Sequence, residues 1–320
     1  MLGRYLNPQN DVAFKRLFGT EKNKDILISL LNEVLSGQLA SPVEEVTFLT
    51  PVQQPDILSK KTSIVDILCK DKEGVQYIIE MQVADQRDFT ARAQYYASKA
   101  FISQMQPGEK YANLKEVIFL AFCNYNIFPN KKAYKSEHIT IDKKTGENDL
   151  DKLSFTFIEL KKFDKQRGKD ISKLSLEDKF YYFLTHVDDV TPEQLKTLTE
   201  KSEVIKKAYQ ELSRIYWNEE ELRSYENEEK RSLDYIAAMD TAIAKGMAKG
   251  MAKGMAKGIA KGIAEGIAKG IAKGEARGIA KGKAEGKAEG IEEGEKRTLD
   301  KLVKAGLVGQ AEAEKILKNT

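Results

Sequence analysis

From Ala244 the chain repeats a four-residue unit, AKGM or AKGI at first and AEG or EEG variants later, with glycine at every fourth position from Gly246 to Gly294. Four residues of α-helix advance about 400°, so each glycine is displaced by roughly 40° from the last and the stripe winds around the axis. No face stays apolar along the whole length. Thirteen glycines also cost a helix on the order of 10 kcal/mol of intrinsic stability relative to alanine. An isolated helix of this composition should not survive.

The segment is therefore either a Lys/Glu/Gly linker or a helix held by neighbours. In the second case Gly and Ala admit close backbone approach, while Ile and Met provide grip. The regular recurrence of Ile and Met favours the second reading, which implies self-association. A Lys or Glu in nearly every unit argues against insertion in a membrane. Residues 298–320, TLDKLVKAGLVGQAEAEKILKNT, read as two short helices around Gly306 to Gly309, a small terminal hairpin.

Any globular core must lie upstream. Its charge is no guide, because 52 basic and 49 acidic residues leave a net of only +3, and a DNA contact would have to come from local clusters. The N-terminus, MLGRYLNPQNDVAFKRLFG, has no apolar stretch of signal-peptide length, and eighteen uninterrupted apolar residues occur nowhere, so a cytoplasmic location is expected. Cys69 and Cys123 each fall in an apolar strand-like segment without metal-site spacing and are expected to be buried reduced thiols. His138 and His186 are far apart and lack motif neighbours. Triad and zinc chemistry are thereby disfavoured.

Apolar residues recur at helical spacing from Asp11 to Leu35, and Gly19 is expected to split this stretch into two helices. Strands are expected at Val43 to Leu49, Ile64 to Lys70 and Val75 to Val83, the last two joined into a hairpin by DKEG, whose Gly74 permits a left-handed turn. Asp88 can cap a helix running to about Gln106, and VIFLAFCNYNIF and LSFTFIEL read as further strands. Helix, three strands, helix, strand, strand implies an α/β sandwich around a central mixed sheet. The divisions expected are a core at 1–175, a helical extension at 176–243, the repeat at 244–297 and the terminal hairpin at 298–320.

The hairpin carries charge in an unusual place. Asp66 interrupts one apolar strand and Glu80 the other. Alternation puts Ile78, Glu80 and Gln82 on one face of their strand, and pairing centred on DKEG brings Asp66 beside Glu80 at the end remote from the turn. Two carboxylates so close resist joint ionisation unless a cation stands between them. Few hard oxygen ligands with room for water suit Mg²⁺, which would polarise a phosphodiester and activate a water. Gln82 could orient that water but brings no charge.

Asp, about a dozen residues, then Glu-x-Gln resembles the PD-(D/E)xK nucleases in the variant where Gln replaces the motif lysine. More narrowly, NPQNDVAFKRLFG, ILISLLNEVL, IVDILCKDKEGVQYIIEMQV and FTARAQYYASKAFISQM resemble, in family order, the Rpn family of recombination-promoting nucleases, which are grouped with PD-(D/E)xK family transposases. The resemblance runs from about Asn7 to the strand near Phe157. It implies a restriction-endonuclease-like core, Asp66 and Glu80 as metal ligands and catalytic residues, and Gln82 standing where relatives carry lysine. It also implies an acid from the first core helix, for which Glu33 is the candidate and Asn32 and Asp11 are rivals.

On the helix after the hairpin, Arg92, Gln94 and Tyr95 fall off the apolar face and are candidates for touching nucleic acid. Lys131, Lys132 and Lys135, and Lys161, Lys162, Lys165, Arg167, Lys169 and Lys173, form basic clusters that could follow a DNA backbone. The expected function is a Mg²⁺-dependent DNA endonuclease that promotes recombination. The alternative is a weakly active or inactive nuclease-like protein whose tail drives assembly. Met239, Met247, Met251 and Met255 leave room for a tail-only product from an internal start, which the resemblance allows.

Overall fold

The computed structural model describes residues 4–53, 63–85, 88–166 and 170–318. Helix α1 (Asp11–Phe18) starts where the Asn10 side chain accepts the N–H groups of Val12 and Ala13, and it stops where the Gly19 N–H returns to the Lys15 carbonyl. Its buried stripe of Ala13, Phe14, Leu17 and Phe18 meets that of α2 (Lys24–Val34), which contributes Ile26, Leu27, Leu30, Leu31 and Val34.

Six strands form the main sheet: β1 (Val46–Phe48), β4 (Ile67–Asp71), β5 (Gln76–Gln82), β6 (Val117–Cys123), β8 (Leu153–Glu159) and β7 (Lys135–Ile139), in that spatial order. The pairs β1/β4, β4/β5 and β7/β8 are antiparallel, whereas β5/β6 and β6/β8 are parallel. The sheet is mixed, as expected. Helix α3 (Phe89–Ile102) connects the parallel strands β5 and β6.

Alternation divides the apolar residues between two clusters. Tyr77, Ile79 and Met81 of β5 join Ile118, Leu120 and Phe122 of β6 on the α1 and α2 side. Ile78 joins Val117, Phe119, Ala121 and Cys123 beneath Phe89, Ala93, Ala97 and Ala100 of α3. Both cysteines are buried free thiols, with burial pushing the Cys69 pKa up to about 12 and that of Cys123 up as well.

Three details differ from the sequence reading. The expected strand from Ile64 to Lys70 breaks at Asp66: β3 (Ser63–Ile64) pairs instead with β2 (Val52–Gln53), and β4 begins at Ile67. Asp66 spends its N–H and its carboxylate on β5 side-chain and backbone groups in place of the regular ladder. Strand β7, KSEHI, was not expected, because an edge strand with one face in solvent carries too little apolar pattern. Asp88 does not cap α3; it sits at φ 66° without a side-chain cap bond.

The helices after residue 175 form no separate layer of their own. Phe180, Tyr181 and Phe183 of α5 (Leu176–His186), Ile205 and Tyr209 of α7 (Glu203–Glu211), Trp217, and Tyr225 of α8 (Glu219–Lys304) all enter the same core cluster. Helix α6 (Pro192–Thr199) adds Leu198 and opens with a complete capping box from Thr191 and Gln194. One compact unit thus spans Met1–Ala237, and a second spans Ala238–Thr320. Within the second, α8 ends at a turn where Gly306 takes φ 68°, and α9 (Gln310–Lys318) follows. Ile316 of α9 shares a cavity lining with Leu299 and Leu302 of α8.

Candidate active site

The β4/β5 register pairs Ile67 with Ile79, so Asp66 and Glu80 are next in line across the two strands. Side chains complete the ladder there. The Asp66 N–H donates to Glu80 Oε1 at 3.1 Å, and the Met81 N–H donates to Asp66 Oδ2 at 2.8 Å. Glu80 Oε2 accepts from Gln82 Nε2 at 2.9 Å, and Gln82 Oε1 accepts from Arg92 Nη2 of α3 at 2.9 Å. Glu80 is 3% exposed and Gln82 8%, while Asp66 is half-buried. Asp66, Glu80, Gln82 and Arg92, four residues chosen from the sequence, thus lie in one cluster.

Burial raises both acids. The Asp66 carboxyl is pushed up to about 6, chiefly by desolvation and against the opposing Met81 bond. Glu80 is raised well above the ordinary carboxylate range by desolvation first and then by the Asp66 charge.

On the helical layer, Asp11 is the acid whose influence reaches Asp66. Its carboxyl acts on Asp66 both through its charge and through a side-chain hydrogen bond. The segment NPQND explains its placement: the Asn7 N–H donates to the Tyr225 hydroxyl oxygen, Gln9 Nε2 donates to the Leu184 carbonyl, and Asn10 caps α1 while donating to the Tyr225 carbonyl. Asp11 then opens the helix. Glu33, preferred on sequence, is not among the groups that act on Asp66 or Glu80; it is half-buried on α2. Its neighbour Asn32 is committed to the backbone of Val43 through two bonds of 2.7 and 2.8 Å.

Lys15 was missed by the sequence reading. One helical turn after Asp11, its ammonium lies 2.8 Å from the Asp11 carboxylate. Burial works against that charge, yet Asp11, Asp66 and Glu80 together raise the Lys15 pKa. The i,i+4 spacing of Asp11 and Lys15 on an amphipathic helix was the signal available in the sequence. Beside the cluster, Asp11, Met81 and Gln82 share a cleft of about 250 Å³ with Arg231, Ser232 and Tyr235 from the first turns of α8.

The other nucleic-acid candidates are dispersed. Gln94 is exposed and bonds back to the Thr90 carbonyl, and Tyr95 is exposed beside Lys99. Two lysines of the basic clusters have structural work instead. Lys162 is buried, with its ammonium on Glu159 and on the carbonyls of Phe128 and Lys131, and Lys135 reaches the Val34 carbonyl and Glu177. Arg167 and Lys169 lie outside the described residues.

Among the described residues no group of three or more His, Cys, Asp and Glu side chains is gathered closely enough to hold a metal ion. The chemistry of the donor set nevertheless fits a hard divalent cation. Asp66 and Glu80 offer only carboxylate oxygens, they adjoin each other in a desolvated setting, and both carboxyls are driven toward protonation, by burial first and then by neighbouring acidic charge.

A family model described as PD-(D/E)XK nuclease family transposase matches residues 8–242, well over half of the chain. The protein belongs to that family, and its mixed six-stranded sheet with flanking helices agrees with a PD-(D/E)XK-like α/β fold. No curated protein and no solved structure matches it. The match extends through α7 and into α8, in keeping with the single core that ends near Ala237. No helix among the described residues is long and apolar enough to cross a membrane.

Proposed function

We propose that the protein is a Mg²⁺-dependent DNA endonuclease that hydrolyses phosphodiester bonds and, by making breaks, promotes recombination. The observation that carries this reading is the Asp66–Glu80 pair, held on adjacent strands by reciprocal side-chain-to-backbone bonds and driven toward protonation by burial. Asp66 and Glu80 would hold the cation, with Asp11 as the third acid in place of Glu33. When bound, a divalent cation supplies positive charge to the phosphodiester and makes a nearby water more acidic. The chain's own residues do the rest. Gln82 keeps Glu80 oriented through its 2.9 Å bond, and the cleft beside Asp11 gives a phosphate access from the α8 side, where Arg231 offers a cation. Hydrolysis forms a bond from the water oxygen to phosphorus and breaks the bond from phosphorus to the departing sugar oxygen, which takes up a proton.

The test is nicking of supercoiled plasmid by the full chain with Mg²⁺ and with EDTA, alongside Asp66→Asn and Glu80→Gln. Cleavage that needs the cation and disappears in both folded variants supports the reading. Equal cleavage by the variants, or none by the wild type, sinks it.

A second reading, assembly through the repeat, is favoured by the tail's glycines. From Gly246 to Gly294 an added Cβ would meet nothing within 4 Å, so no contact among the described residues requires glycine there. A second copy approaching closely along α8 would. A tail-only product starting at Met239, Met247, Met251 or Met255 could then pair with the full chain. Sedimentation equilibrium of the full chain decides between a monomer, which excludes this reading, and a self-associating species.

A further inference from the structure

The reacting centre needs a positive charge that its own strand does not bear. Phosphodiester hydrolysis gathers negative charge on the phosphoryl oxygens as it proceeds, beside two carboxylates, and the side chain two residues after Glu80 is the neutral amide of Gln82. That amide is oriented. Its nitrogen donates to Glu80 Oε2 and its oxygen accepts from Arg92 Nη2, each at 2.9 Å. Flipping it would set NH₂ against guanidinium and C=O against carboxylate, so the charges on either side fix which way it points.

Arg92 is itself held in place. It is half-buried on the first turn of α3, with its guanidinium 5.0 Å from the Phe89 ring centroid and 6.0 Å from that of Tyr96. Its charge is felt at Glu80. Among the described residues another cation near the pair, Lys15, comes from α1 and is bound to Asp11.

We propose that Gln82 is an adaptor that fixes the Arg92 guanidinium beside the reacting phosphate, so that a positioning arginine from α3 supplies the charge that β5 lacks. The inference rests on the nuclease reading. It explains why a long neutral side chain occupies this strand position: an amide can grip a carboxylate with one end and a guanidinium with the other, which neither Glu nor Lys can do.

The experiment is a rescue cycle on the full chain, comparing wild type, Arg92→Met, Gln82→Lys and the double variant. Methionine keeps a stem over Phe89 and removes the charge. Plasmid cleavage with Mg²⁺ gives kcat and KM, fluorescence anisotropy in EDTA gives DNA affinity without the cation, and circular dichroism monitors folding. Arg92→Met is expected to lower kcat on the order of 100-fold while KM and metal-free DNA affinity stay within about twofold. Lysine at position 82 should then make Arg92 dispensable, with the double variant returning to within about tenfold of wild type. If Arg92→Met weakens DNA binding in EDTA and leaves kcat alone, Arg92 is a DNA contact and the proposal is overturned. An equal loss of kcat in both backgrounds, or a wild type inactive while Gln82→Lys cleaves, also overturns it and leaves the nuclease reading intact. Absence of cleavage in all four proteins removes the nuclease reading and this proposal with it.

Discussion

Glycine is used in opposite ways in the two halves of this molecule. In the first unit Gly74 and Gly19 stand where the backbone requires them. Gly74 turns the hairpin at φ 86°, and a Cβ on Gly19 would lie 2.8 Å from the Lys15 carbonyl oxygen. In the second unit it recurs every fourth residue of a helix with open space around each position. The first unit's structure is accounted for by contacts within the chain: helices packed on a sheet covered on both faces, and a polar cluster of Asp66, Glu80, Gln82 and Arg92. The repeat helix has no such account, and its isoleucines from Ile259 to Ile271 are uniformly near 58% exposed. The functions proposed above follow this division, with chemistry assigned to the unit that specifies itself and assembly to the unit that needs something else.

The largest effect that could break this division is on cleavage. Glu80→Gln is expected to lower plasmid nicking by roughly a thousandfold or more without altering the mass of the assembly, because Glu80 lies far inside the first unit's core. A Glu80→Gln protein that cleaves normally but sediments differently would reverse the assignment of roles.

The next effect is a pH dependence confined to the first unit. The folded protein holds a proton on Asp66 up to about pH 6, against 3.8 for an ordinary aspartate, and burial raises Glu80 well above its ordinary value in the same direction. Between those pH values the native state binds more protons than the unfolded chain, so stability falls as pH rises through the window. For Asp66 the loss is about 3 kcal/mol, present in full below the unfolded pKa and gone above the folded one. Urea unfolding in EDTA at pH 5 and pH 7.5 should show the decline in wild type, flattened in Asp66→Asn, and Mg²⁺ should restore stability at the higher pH. Parallel curves for the two proteins would mean that burial does not raise Asp66.

How much of this could be read from the sequence follows the same division. The hairpin was legible because strand alternation and a Gly-containing turn are local signals, and together they brought Asp66 beside Glu80. The bond from Gln82 to Arg92 joins strand to helix across ten residues, and no periodicity shows which residue of α3 lies over the end of β5. The proximity of Asp11 to Asp66 is a matter of docking: Asp11 and Glu33 sit on helices of one layer, and the Tyr225 and Leu184 anchors hold the segment that precedes Asp11. The core's continuation past residue 175 was hidden because α5 to α7 are charged on one side, which reads as an appendage until Phe180, Tyr181 and Tyr209 are found buried.

Smaller still is the cost of adding a methyl group in the first unit. Gly19→Ala should destabilise by about 1–2 kcal/mol, since the new Cβ meets a backbone oxygen that already accepts the Gly19 N–H at 2.8 Å. Lys15 and Asp11 would shift with that carbonyl, so some activity should be lost along with stability. Thermal midpoints and nicking rates measured together check this, and an unchanged midpoint would show that the α1 terminus relaxes freely.

The smallest change per residue carries the sharpest contrast. Alanine at Gly254, Gly258, Gly262 and Gly266 raises intrinsic helix stability by about 1 kcal/mol each, and within the chain there is room for every Cβ. Judged by the isolated chain, the substitutions can only help. If a second backbone passes close to those positions, the four methyl groups hold it away, and the full-length variant should be lighter in solution and at least as helical, with cleavage per chain unaffected. Sedimentation equilibrium and circular dichroism on wild type and variant read both quantities. A variant that gains helicity and keeps its mass would mean that the glycines meet no partner, and the four-residue period would then need a reason outside packing altogether.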